Sequence, residues 1–140
     1  MKTKIETEYT YMGFGFPVEL NNVTMIYIEK SWHPKINVEQ LSHKIIKKIA
    51  LQAERLTGAQ VKFIRYYFSM SLRQFAKHVV HESHMAVSKW EAALLNKTKM
   101  DANIEMMLRL YIIEKTLTRT EKQKSQFFDR YIQLRTIWSA

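Results

Sequence analysis

No cysteine occurs among the 140 residues, so a disulfide and any thiolate-ligated metal site are both excluded. Glycine is almost as scarce, with three residues, and a phosphate-cradling loop needs several of them in one place. No apolar run approaches the ~20 residues that a membrane-spanning helix requires, and the opening MKTKIETEYT lacks the apolar stretch of a signal peptide. These absences lead to the expectation of a cytoplasmic protein with no membrane association. Without a cysteine nucleophile, a glycine-rich loop or a Ser-His-Asp set in supporting context, no catalytic residue and no cofactor are expected. The five histidines (His33, His43, His78, His81, His84) form neither H-x-x-x-H nor H-E-x-x-H. His81 and His84, three apart, read as surface residues, and no metal is expected.

Acidic side chains are also in deficit: 13 Asp and Glu stand against 22 Lys and Arg, a formal net charge of +9. Such a balance raises the local concentration of polyanions and favours phosphate-rich partners, although charge alone does not separate a nucleic-acid surface from a generic basic one. The apolar share is 46%, and a chain of this length hides about two-thirds of its unfolded surface, so one domain with a real core is expected, with or without an appendage.

Residues 5–30 alternate like strands: Tyr9, Tyr11, then Val18-Glu19-Leu20, then Val23-Thr24-Met25-Ile26-Tyr27-Ile28. Asn21-Asn22 lies between two such runs and suits a tight hairpin turn, since Asn tolerates positive φ. Past Pro34, Asn37 with Gln40 has capping-box spacing, and Leu41, Ile45, Ile49 and Leu56 follow an amphipathic helical stripe of about 18 residues. Thr57 with Gln60 opens a second helix carrying Val61, Ile64 and Phe68. Ser71 with Gln74 opens a third, whose inner side is Phe75, Ala76 and Val79. Ser83 then caps the stretch HMAVSKWE. Residues 96–101 read as a polar, basic loop. Asp101 caps a long helix with Ile104, Met107, Leu108 and Tyr111 on one face. Thr120-Glu121 starts a last helix, where Phe127, Tyr131, Leu134 and Trp138 form an aromatic stripe that suits core packing or an interface.

The organisation expected is therefore mainly α with a small N-terminal antiparallel β hairpin, an α+β class. A β region covers 1–35, a connecting amphipathic helix 36–56, a helix-turn-helix bundle 57–117 and a C-terminal helix 118–140. Two short capped helices joined by a tight turn are the outline of a helix-turn-helix. Val87 and Trp90, three apart, turn inward, which leaves Ser83, His84, Met85, Ser88 and Lys89 on the outer side. Met85 also suits a gap-filling core methionine. In such a unit the start of the second helix reaches base edges in the major groove.

Residues 57–115, and above all LTGAQVKFIRYYFSMSLRQFAKHVVHESHMAVSKWE, resemble the Cro/repressor-type (XRE-family) helix-turn-helix proteins. The preceding YTYMGFGFPVELNNVTMIYI resembles the β-rich segment of antitoxins of the MqsA/HigA type. The resemblance implies a homodimeric repressor that binds a palindromic double-stranded DNA operator, regulates its own operon and neutralises a small RNase toxin. A stand-alone regulator without a toxin, and a protein-interaction module with a structural helix-turn-helix, are the alternatives.

Three departures qualify it. The four-cysteine zinc site of MqsA-like proteins is missing. The interval from Ala76 to Trp90 is one residue longer than usual, which implies an extended turn at Val80-His81-Glu82. Leu72 stands where the family often has a DNA-contacting Gln, so Arg73 or Gln74 would take that contact. Lys97, Thr98 and Lys99, followed by the N-terminus of the next helix, are expected to grip the DNA backbone. Finally, the resemblance implies a partly buried ion pair between Arg65 and Glu91, of the kind that ties the first helix to the loop after the third.

Overall fold

A computed structural model describes residues 2–116, 129–130, 132–134 and 136–137. They form an α+β chain of two compact units, Met1–Ser42 and His43–Ala140. No helix among the described residues is long and apolar enough to cross a membrane.

The first unit is a three-stranded antiparallel sheet in the order β1 (Thr3–Tyr11), β2 (Val18–Ile28), β3 (Ser31–Pro34). Two connections build it. Gly15, at φ 91°, closes a turn from β1 by donating its N–H to the Met12 carbonyl at 3.0 Å. Glu29 and Lys30, at φ 50° and 68°, make the two-residue loop between β2 and β3. Positive φ at both central residues is the primed turn whose twist matches a hairpin.

This corrects the expected hairpin at Asn21-Asn22. Asn22 does adopt φ 56°, but β2 runs straight through it, and the pairing with β1 keeps one register on both sides (Glu6↔Val23, Glu8↔Asn21). The left-handed residue is absorbed as a local kink, across which the buried positions of β2 change parity from Val18 to Val23 and Met25.

Helix α1 (Val38–Leu51) starts where expected, with Gln40 N–H donating to Asn37 Oδ1 at 3.0 Å, and it buries Ile45, Ile46, Ile49 and Ala50. It stops at 14 residues, short of the ~18 suggested by its pattern, and arginines meet the carbonyls at its end. Arg109 donates to the carbonyls of Ile49, Ala50, Gln52 and Glu54, and Arg130 Nε donates to Leu51 O at 2.9 Å. Cations there satisfy otherwise orphaned acceptors and complement the negative end of the helix dipole.

The next elements are α2 (Gly58–Tyr67), α3 (Leu72–Phe75), a π-helical turn (Ala76–Val80), α4 (His84–Glu91) and α5 (Ala102–Thr116). The inner face of α5 differs from the expected Ile104/Met107/Leu108/Tyr111 stripe. It buries Glu105, Met106, Leu108, Arg109, Ile112 and Ile113, while Met107 points to solvent. The reason is a buried ion network, which an apolar stripe does not register. Glu105 accepts from Arg109 Nη2 (2.9 Å), Arg55 Nε (3.1 Å) and Leu56 N (3.2 Å), so both oxygens of this fully buried carboxylate meet donors. Burial pushes the Arg109 guanidinium below its ordinary range, against the pull of Glu105. Of the C-terminal aromatic stripe, Leu134 is buried, and Phe127, Tyr131 and Trp138 lie outside the described residues.

Candidate functional site

The side chains singled out for binding gather around α4, and local chemistry explains how it is held. Ser71 Oγ accepts from Gln74 N at 3.1 Å while Gln74 Oε1 accepts from Ser71 N at 2.9 Å, a full capping box that starts α3. The helix then widens into the π turn Ala76–Val80, which accommodates one extra residue. His81, left-handed at φ 55°, ends it, and Glu82 N–H returns to the Ala76 carbonyl at 3.0 Å. The widening thus lies inside the helix, at Ala76–Val80, and the turn expected to lengthen at Val80-His81-Glu82 is a tight left-handed cap at His81. Ser83 then caps α4, its hydroxyl accepting from Ala86 N at 3.0 Å.

Val87 and Trp90 are buried and pin α4 to the interior, as their spacing predicts. Met85 is 70% exposed, which decides between its two readings in favour of the outward one. Ser83, Ser88 and Lys89 are exposed and His84 is half-buried. Arg73 and Gln74 are exposed on α3. The Gln74 amide oxygen is engaged in the capping box, so Arg73 is the less committed of the two. Arg73, Ser83 and His84 come together with Lys77, His81, Glu82 and Ala76 around an open cleft of about 380 Å³. Lys77 and His81 were not foreseen, although Lys77 lies four residues beyond Arg73 and so belongs to the same helical face.

The far end of α4 is fixed by the anticipated ion pair. Arg65 Nε and Nη2 reach Glu91 Oε2 and Oε1 at 2.7 and 2.9 Å, with both side chains about nine-tenths buried. The hydrogen bond to Glu91 raises the Arg65 pKa further, against the cost of burial. Gly58 was also missed. The N-terminus of α2 approaches α4 so closely that a β-carbon there would sit 2.5 Å from the Trp90 carbonyl oxygen. Its first N–H groups serve the loop after α4, Gly58 N to Asn96 O at 3.2 Å and Ala59 N to Leu94 O at 2.8 Å.

That loop departs from expectation at one residue of three. Lys97 and Lys99 are exposed, whereas Thr98 is buried. Its N–H donates to Leu56 O at 3.0 Å and its hydroxyl accepts from Met100 N at 3.3 Å, so it shapes the loop and does not face a phosphate. The start of α5 is likewise not an open anion seat, because Asp101 Oδ1 accepts from Asn103 N at 2.8 Å and Ile104 N at 3.4 Å, placing a carboxylate there.

Comparisons with protein families, with curated proteins and with solved structures find no match for this chain.

Proposed function

We propose that this chain is a sequence-specific repressor that binds double-stranded DNA as a homodimer, with α3 and α4 acting as a helix-turn-helix and α4 lying in the major groove. The observation that carries this reading is the split of α4 into a clamped inner side and a free outer one. Val87, Trp90 and the Arg65–Glu91 pair hold it, while Met85, Ser88 and Lys89 are left to solvent, and Ser83 and His84 at its start line a cleft with Arg73 and Lys77. Lysine there suits guanine O6 and N7, and Met85 suits a thymine methyl. Lys97 and Lys99 at the other end of α4 supply phosphate contacts that set register.

The experiment is a competition binding assay on the DNA upstream of the chain's own gene, against random duplex at fixed salt. Preference for its own DNA by a factor of about 10³ or more, the low end for specific binders, supports the reading. Equal affinity on both sinks it. The additional role as an antitoxin rests on the resemblance of the β segment, and co-expression with an adjacent RNase-like frame tests it: failure to relieve toxicity or to co-purify leaves a stand-alone regulator.

A further inference from the structure

The two edges of the N-terminal sheet are not alike. β3 is four residues long and carries Pro34. Lys35 N–H donates to Thr24 O at 2.7 Å, so by the alternation of antiparallel pairing the nitrogen of Pro34 faces outward, where it has no hydrogen to offer. Shortness and proline are two of the ways in which proteins blunt an edge. β1 has neither. It runs nine residues without proline or glycine, and its outer edge pairs with no strand among the described residues.

Which backbone groups β1 offers follows from one hydrogen bond. Tyr27 N–H donates to Lys2 O at 3.1 Å, so Lys2, and by alternation Lys4 and Glu6, bond inward to β2 over the stretch before the kink opposite Thr7. The N–H and C=O groups of Thr3 and Ile5 therefore point away from the sheet. Both residues are exposed, Ile5 to 66%.

The charges on this edge select a partner. Set antiparallel to a second copy of itself, β1 has few registers that keep Thr3 and Ile5 in bonding positions. Centring on Lys4 opposes two lysines, centring on Glu6 opposes two glutamates, and centring on Thr7 sets Glu6 against Glu8. Centring on Ile5 instead places Lys4 against Glu6, twice by symmetry, with Ile5 on the axis. Lys4 and Glu6 then each meet the opposite charge across the strands, where such pairs stabilise a sheet. Within one chain, Lys4 and Glu6 already hold each other at 3.1 Å on one face of the strand, poised at the positions this register requires.

We propose that the outer edge of β1 is a homodimer seam, in which two copies pair antiparallel about a two-fold axis at Ile5 and join their sheets into one of six strands. The seam stands on the sheet edge and its charges and does not depend on the DNA-binding reading.

The full chain tests it directly. With no cysteine in the sequence, I5C can form a disulfide only between copies. A hydrogen-bonded antiparallel pair sets the two Cα atoms about 5.5 Å apart, within the ~4.4–6.8 Å that a disulfide spans. Oxidised I5C is expected to run at twice the chain's mass on a non-reducing gel. T10C, whose two copies would lie about 33 Å apart at ~3.3 Å per residue, is expected to stay single. In sedimentation, K4E and E6K should each weaken the dimer by roughly tenfold or more, two like-charge pairs replacing two opposite ones. The double variant K4E/E6K should restore it. A parent chain that sediments as a monomer at micromolar concentrations overturns the proposal. So does I5C cross-linking no better than T10C, and so does a double variant that remains single while its circular dichroism matches the parent.

Discussion

Arg65 of α2 and Glu91 at the end of α4 meet fork to fork, at 2.7 and 2.9 Å, and the third prong of the guanidinium donates to the Met70 carbonyl at 3.1 Å. One side chain thereby ties α2, the turn before α3 and the far end of α4 together. Removing one member of a buried pair leaves the other charge uncompensated, which costs roughly 3–5 kcal/mol, whereas an exposed pair contributes about 0–1 kcal/mol. Glu91→Ala is therefore expected to lower the urea midpoint strongly. Arg65→Lys keeps the charge but not the planar fork, and should recover only part of the loss. A Glu91→Ala cost within the surface-pair range would show that the pair does not hold α4.

Gly58 supplies the second constraint on α4. A β-carbon at this position would meet the Trp90 carbonyl oxygen, Leu94 N and the Glu91 carbonyl oxygen at 2.5, 2.6 and 2.7 Å, all of them backbone atoms that cannot swing aside. Gly58→Ala, normally favourable inside a helix, should here destabilise by about 1–3 kcal/mol, as overpacking does. Because the displaced atoms belong to the end of α4, binding to specific DNA should fall more than binding to random duplex. A stabilised Gly58→Ala chain would contradict the close approach.

What the sequence made legible was local. The caps at Thr57, Ser71 and Ser83 each bind the backbone N–H three residues on, and the Val87/Trp90 spacing set the buried side of α4. These features depend on a few neighbouring residues, so spacing alone reveals them. What stayed hidden depends on partners far along the chain. Glu105 and Arg109 carry no signal in their own neighbourhood, and their burial follows only from Arg55, Leu56 N–H and the carbonyls past the end of α1. Thr98 sits between two exposed lysines and reads as their companion, yet its N–H is claimed by Leu56 O. Asn22 does take the left-handed conformation its residue type favours, but whether the chain reverses there is decided by β1 continuing to pair on both sides.

Tyr67 gives the second unit an alkaline signature. Its hydroxyl lies 2.6 Å from His43 Nδ1, and partial burial raises its pKa above the ordinary value of 10.0. Above that value the unfolded chain sheds the phenolic proton while the folded chain retains it. The unfolded state then binds fewer protons, so stability falls as pH rises through this window and is fully present below it. Urea titrations of the parent and Tyr67→Phe at pH 9, 10 and 11 (about one pH unit either side of the free phenol) read the effect. The parent should lose stability more steeply across the upper interval. Identical slopes would remove Tyr67 as the source.

The DNA-binding reading separates three residue types that all look basic or polar in sequence. Lys89, on the outer side of α4, is assigned to a base edge, so Lys89→Ala should cost about 1–3 kcal/mol on the operator and relax preference at one position in each half-site. Random duplex should barely register the change. Lys97 and Lys99 are assigned to phosphates, so replacing both with Ala should weaken all DNA alike and reduce the salt slope by roughly 0.9 for each phosphate no longer neutralised. Thr98, buried between them with its hydroxyl turned to Met100 N, belongs to neither class. Thr98→Val should therefore lower stability, leaving one buried N–H without its acceptor, while the salt slope stays that of the parent. Fluorescence anisotropy on operator and random duplex across a salt series distinguishes the three. If Lys89→Ala weakens both DNAs equally and lowers the slope as Lys97→Ala does, Lys89 touches only the backbone and α4 is not what reads the sequence.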